Sequence, residues 1–295
     1  MREYLDAVAA NHRARTRELD ESTWATHLKG STFSNIQAAA VTVADTERFI
    51  YTIRRTSEST ARRVHALLRS CFNYHLERGT LQSNPAHLPK AVRLRQGHAN
   101  VVPLSEEQRH KLLAYLERAN PLWHALIALA IDSGARQAEL FGLQWDDIDP
   151  ATNTISISKT LNTIGGKAVL ERETKTAKSR RKIIISSGTM DLICALPRES
   201  TQVFAHPRGR WNRSRITRIW HRVLKGADLP RYRFHDLRHT CASLLVASGA
   251  PINAISERLG HSSPMVTLNI YAHLFEDAQR PLAAIMQEKL HAKTS

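Results

Sequence analysis

The sequence predicts a mainly α fold in two domains: an all-α N-terminal domain, then a larger helical domain interrupted by a small antiparallel β-sheet. Apolar residues recur at three- and four-residue spacing along most of the chain, while strand-like alternation is confined to about residues 154–186. A stretch bearing proline, glycine and cations, without sustained apolar period, separates the two helical regions. This sets the domains at 1–90 and 104–295, with 91–103 as the linker. The length of 295 residues lets each domain bury a core without disulfides.

From Arg2 to about Arg78 the pattern is helical. Asp45 can cap a helix over Thr46 to Ile53, and Ser57 or Ser59 can open a longer one that Gly79 stops. On the longer helix Val64, Leu67, Leu68, Cys71, Phe72 and Leu76 form an apolar stripe, while Arg62, Arg63 and Arg69 fall largely elsewhere. These arginines are either DNA contacts or a solvated face. Asn84-Pro85 ends the region, and the linker and its approach carry Lys90, Arg93 and Arg95, suited to phosphates.

Ser105-Glu106-Glu107-Gln108 reads as a capping box that opens the second domain, and Pro121 begins a helix whose Leu122 to Ile131 portion is apolar enough to be central and buried. Gly134 permits a turn that sets Arg136 at the start of the next helix. Thr154 to Ser158, Ala168 to Thr174 and Lys182 to Ser186 read as neighbouring strands, with a hairpin turn at Gly165-Gly166. Thr174-Lys175-Thr176-Ala177-Lys178-Ser179-Arg180-Arg181 is then a strongly basic turn. Helices are predicted again over Asn212 to Lys225, His235 to Ser248 and Ile252 to Leu259. The tail from Gln279 to Leu290 has an apolar stripe that packs on its own domain or on a partner.

Composition narrows the function. Forty-two lysines and arginines against 27 acidic residues give a formal charge of +15, which points to a polyanionic partner, nucleic acid first. Cys71, Cys194 and Cys241 are too few and scattered for a disulfide framework or a zinc site, so a reducing compartment is expected. The N-terminus reads as neither signal peptide nor membrane span, which predicts a soluble cytoplasmic protein.

The chemistry gathers around Leu259-Gly260-His261-Ser262-Ser263 and Thr267-Leu268-Asn269-Ile270-Tyr271-Ala272-His273. Upstream, His235-Asp236-Leu237-Arg238-His239-Thr240 places His235 and Arg238 on one helix face, able to converge on a phosphate. Arg136 and Arg238 suit a bidentate clamp on a phosphodiester whose transition state gathers negative charge. Tyr271 suits an in-line nucleophile, and a lysine on a mobile hairpin, such as Lys175, suits the acid for the departing oxygen.

Ser-Gly-Ala-Arg136-Gln-Ala-Glu139-Leu, Thr-Lys175-Thr-Ala-Lys-Ser-Arg-Arg, His235-Asp-Leu-Arg238-His-Thr, Leu-Gly-His261-Ser-Ser and Asn-Ile-Tyr271-Ala-His together resemble the ordered motif set of the tyrosine recombinases, the phage integrase family. The resemblance covers about Ser105 to His273. It implies that Arg136 and Arg238 clamp the scissile phosphate, that Lys175 is the general acid with Lys178 as its competitor, and that His235 is an acid/base or phosphate donor. His261 becomes a second phosphate donor, Glu139 a support for the first arginine and a neighbouring histidine, and Tyr271 the nucleophile of a 3′-phosphotyrosine. No metal or other cofactor is implied, because the covalent intermediate conserves the energy of the broken bond.

The resemblance further implies a C-shaped clamp on double-stranded DNA, with a helical core-binding domain and a catalytic domain whose tail begins near residue 277. Lys178 and Arg180 join Arg62, Arg63, Arg69, Lys90, Arg93 and Arg95 as DNA contacts. A homo-oligomer on DNA, a tetrameric synapse joined through the tail, is expected, with DNA-bending or directionality proteins as possible accessories and no membrane partner. The implied activity is site-specific integration or excision of a mobile element or phage; topoisomerase-like relaxation and catalytically silent DNA-binding regulation are the alternatives.

Overall fold

The computed structural model describes residues 1–89, 94, 102–171, 180–206, 211–271, 287 and 290. The chain divides into two compact units, Met1–Gly97 and His98–Ser295. Among the described residues no helix is long and apolar enough to cross a membrane.

In the first unit the described elements are α1 (Arg2–Val8), α2 (Ala14–Thr23), a short π turn, 3-10 turns, α3 (Val43–Arg54) and α4 (Glu58–Glu77). The predicted stripe of α4 is buried at Val64, Leu67, Leu68, Cys71 and Phe72, where it meets Tyr4, Leu5, Phe33 and Ile50. Ser57 caps α4 through the Thr60 N–H, and Gly79 beyond its end has φ +69°. The start of α3 differs from expectation. Thr42 Oγ1 accepts the Asp45 N–H and the Asp45 carboxylate accepts the Thr42 N–H, so Asp45 is the third residue of a capping box, not the cap.

The second unit opens with α5 (Glu106–Ala119), capped reciprocally by Ser105 and Gln108 as predicted. The central α6 (Pro121–Ser133) is capped by Asn120 and buries Trp123, Leu126, Ile127 and Leu129 completely or nearly so. Then follow α7 (Gln137–Gly142), β1 (Ile148–Asp149), β2 (Thr154–Ile157), β3 (Thr160–Ile164), β4 (Lys167–Glu171) and β5 (Arg181–Ile184). The helices α8 (Ser187–Cys194), α9 (Arg213–Gly226), α10 (Asp236–Ala247), α11 (Ile252–Leu259) and α12 (Pro264–Tyr271) come after the strands.

The strands do not form the single sheet expected. They make a three-stranded antiparallel sheet in the order β1-β2-β5 and a separate hairpin, β3-β4. In the first, Ile155 and Ile157 alternate into the core and Ile155 pairs with Ile183, so one face is buried. The hairpin has no fully buried residue on either strand, and its pairing follows from the turn at Gly165-Gly166 rather than from a core face. The predicted strand residues Arg172 to Thr174 lie outside the described residues.

A glycine sets how closely the end of α6 approaches α10 and α11. Gly134 ends α6 at φ +62°, and a Cβ there would stand 2.5 Å from Leu259 Cδ2 and 3.0 Å from Cys241 Sγ. The Gly134 carbonyl also receives Arg238 Nη1 at 2.7 Å. Left-handed strain and overpacking act together here, so Gly134→Ala should lower stability by about 2–4 kcal/mol in chemical denaturation. A loss below about 0.5 kcal/mol would show that this contact does not constrain the fold.

Candidate active site

The larger unit brings together the α6–α7 turn, β5, α10 and the α11–α12 turn around one carboxylate. Glu139, in the first turn of α7, accepts the Arg136 backbone N–H at 2.8 Å, which fixes the helix start. The same carboxylate pairs with the Arg136 guanidinium at 2.9 Å and with Arg181 at 2.9 Å, and its side chain is 2% exposed. Burial alone raises its pKa. The hydrogen bond and charge of Arg181, then those of Arg136, outweigh burial and hold it below the ordinary value.

Arg136 also donates through Nη2 to the Gly260 carbonyl at 2.8 Å, which leaves its guanidinium tied at both ends while 40% of the side chain stays accessible. Arg181 donates through Nε to the Arg258 carbonyl at 2.7 Å. Gly260 lies between these two anchors at φ +66°, and a Cβ on it would meet Arg181 Nη1 at 2.8 Å. Only a residue without a side chain lets the α11–α12 turn approach the arginines this closely.

Arg238 projects from α10 into the same cluster and is buried. Its Nη1 is satisfied by Gly134, but Nη2 is buried without a hydrogen-bond partner among the described residues. Burial first, and then the charge of Arg136, push its pKa down to about 10. A buried, partly unsatisfied guanidinium beside a second one is costly unless an anion joins them.

The histidines flank this charge. His235 immediately precedes α10 and is exposed; desolvation by the surrounding protein, then His239 and Arg238, push its pKa down to about 4. His261, half-buried, shares a 2.7 Å hydrogen bond between Nδ1 and Thr267 Oγ1. Burial and then Arg238 and Arg136 push it down to about 3. Both imidazoles are therefore neutral at pH 7, each with one ring N–H that can donate.

Tyr271 ends α12 and is 1% exposed, packed with Cys241, Ala242, Val246, Ile255 and Leu259. Its hydroxyl is 2.7 Å from His239 Nδ1. Burial pushes its pKa well above the ordinary tyrosine value, with Arg238 acting in the opposite direction.

Of the sequence-predicted residues, Arg136, Glu139, Arg238 and His261 belong to the charge cluster, His235 stands at its edge and Tyr271 reaches His239. Lys175 and Lys178 lie outside the described residues, as do Lys90, Arg93 and Arg95. In the first unit Arg62 and Arg69 line one cavity of about 310 Å³ with His65 and His87, whereas Arg63 is not among its lining residues and is exposed. Arg180 is exposed at the edge of β5.

Two residues of this site were not singled out from sequence. Arg181 looked like one more cation of the basic turn, but it is the first residue of β5 and its side chain is 5% exposed. Among the described residues it, and no histidine, is the second partner of Glu139. His239 sits one turn beyond His235, and that i, i+4 spacing was the available signal.

Comparison with known proteins identifies the family. The profile of the Phage integrase family matches residues 103–277, more than half of the chain. A tyrosine recombinase XerC-like protein of Caldanaerobacter subterraneus subsp. tengcongensis is 25% identical over 86% of this chain and 73% of its own. Among solved structures, the Tn1549 transposon integrase in complex with a circular intermediate DNA superposes with a TM-score of 0.80 at 20% identity, covering 96% of this chain and 98% of that one. A lambda integrase tetramer bound to a Holliday junction gives a TM-score of 0.65 at 16% identity, covering 89% and 76%. At these identities the two structures establish the fold. The chain belongs to the phage integrase family.

Proposed function

We propose that this chain is a site-specific DNA recombinase that cleaves and rejoins strands through a 3′-phosphotyrosine, serving integration or excision of a phage or mobile element. The observation that carries the reading is Arg238, a buried guanidinium set against Arg136 with one nitrogen unpartnered among the described residues. A phosphodiester supplies the anion these two groups lack. Bidentate contacts to its non-bridging oxygens strengthen as charge accumulates in the transition state.

In this reading Tyr271 Oη attacks the phosphorus, the bond to the 5′ oxygen breaks, and a new ester joins tyrosine to the 3′ phosphate. The departing oxygen takes its proton from Lys175, and a 5′ hydroxyl from another strand reverses the step. His261 and His235 donate hydrogen bonds to the phosphate, and Glu139 with Arg181 keeps Arg136 aimed. Met1–Gly97 acts as a helical core-binding domain in which Arg62 and Arg69 face the DNA backbone, with Arg63, Arg180 and Lys178 as further contacts. Synapsis places a homotetramer on two duplexes, with the tail after residue 277 reaching a neighbouring subunit.

A nicked suicide duplex recovered by covalent capture from a random pool tests this. Wild-type protein should form an adduct stable to denaturant, and Tyr271→Phe should bind the same DNA without forming any. Arg136→Lys should slow adduct formation about 100-fold or more by losing the bidentate contact. An adduct from Tyr271→Phe would contradict the nucleophile, and relaxation of supercoiled plasmid without strand exchange would favour a topoisomerase.

The histidines add a pH dependence. Their folded values, about 4 for His235 and about 3 for His261, lie below the ordinary 6.5. The unfolded chain therefore binds more protons between these limits, so stability is full above pH 6.5 and falls as pH drops toward the folded values. Thermal melts of the DNA-free protein should show this acid loss, and His261→Gln should make it shallower. An unchanged slope would contradict the buried, neutral imidazole.

A further inference from the structure

Tyr271 presents its hydroxyl to a residue outside the phosphate clamp. His239 Nδ1 lies 2.7 Å from Tyr271 Oη, and both side chains are buried, at 7% and 1% exposure. We propose that His239 is the proton acceptor for Tyr271 during strand cleavage and the donor that returns this proton on resealing; the proposal rests on the recombinase reading above.

The direction of the hydrogen bond follows from its surroundings. Tyr271 otherwise packs in an apolar cluster with Cys241, Ala242, Val246, Ile255 and Leu259. A phenol hydrogen buried among them needs an acceptor, and among the described residues Nδ1 is the one within hydrogen-bond reach. His239 is therefore the tautomer with its proton on Nε2. Burial lowers its pKa from 6.5, which keeps the ring neutral and able to accept. His235 meets the His239 ring edge-on at 4.9 Å, and no hydrogen bond joins it to Tyr271 among the described contacts.

The step balances. The phenol oxygen forms the bond to phosphorus, the phosphorus–O5′ bond breaks, the phenol proton passes to His239 Nδ1, and the 5′ oxygen takes a separate proton from the acid. The resulting imidazolium faces Asp236, which favours it, and Arg233 and Arg238, which oppose it. Arg238 and Cys241 face the phenol. Resealing runs the same transfers backward and regenerates the neutral base.

Two suicide duplexes of the captured sequence separate this role from the others, one with the ordinary 5′ oxygen and one with a 5′ sulfur leaving group, which needs no acid. His239→Asn keeps a hydrogen-bonding group but no base, and should slow adduct formation about 100-fold on both duplexes. Lys175→Ala should be slow only on the oxygen duplex. Replacing Tyr271 by 3,5-difluorotyrosine, a more acidic phenol, should restore His239→Asn to within about tenfold of the fluorinated parent.

Full activity of His239→Asn, or no gain from the fluorinated phenol, overturns the proposal alone. No adduct from the wild-type chain overturns the recombinase reading, and the proposal with it. Independently of whether the variant folds, ¹⁵N NMR of the intact protein should show His239 neutral with its proton on Nε2; a proton on Nδ1 overturns the assignment.

Discussion

The shared carboxylate of Glu139 is the interaction on which the site depends. It gathers a backbone N–H and the guanidinium of Arg136 from one side and the guanidinium of Arg181 from the other, while almost wholly removed from solvent. Removing water from a carboxylate costs several kcal/mol, so such a group persists only where cations and hydrogen bonds replace that water. Once in place it fixes three pieces of chain that are distant in sequence. Arg136 reaches the Gly260 carbonyl and Arg181 the Arg258 carbonyl, so α7, β5 and the end of α11 are held to one centre.

That centre is deliberately unbalanced in charge. One carboxylate serves two arginines, and Arg238 adds a third that the carboxylate does not touch directly. Burial first, and then this surplus, lowers the pKa of Arg238 and of His261. Tyr271 is held differently, by an apolar pocket and by His239 on the same helix as Arg238. Arg238 and the hydrogen-bond partner of Tyr271 thus share α10 as a common support, and a shift of that helix moves both. Thr240, one residue further, receives the Leu104 N–H and ties α10 to the start of the larger unit.

Much of this was legible in the sequence because it depends on local rules. The capping pair Ser105 and Gln108, the helix start at Pro121, the turn at Gly134 and the stripe of α4 follow from spacing and from the backbone preferences of proline and glycine. Arg136, Arg238, His261 and Tyr271 were legible as an ordered set. Arg181 was not, because a buried arginine and a solvated one look alike until the strand that carries it has a register. The separation of the two sheets was hidden for the same reason: pairing of β2 with β5 is non-local. Helix α8 went unread because Gly188 interrupts a short run, although Ser186 supplies its cap through the Thr189 N–H.

The claim that Glu139 organises the site is tested most directly by a double-mutant cycle with Arg181, using Glu139→Gln, Arg181→Met and the pair together in denaturant unfolding. A shared, buried ion pair predicts that each single change is strongly destabilising and that the two couple by about 2 kcal/mol or more, because the second removal relieves the charge stranded by the first. A coupling within about 0.5 kcal/mol of zero, with the single changes simply adding, would contradict it.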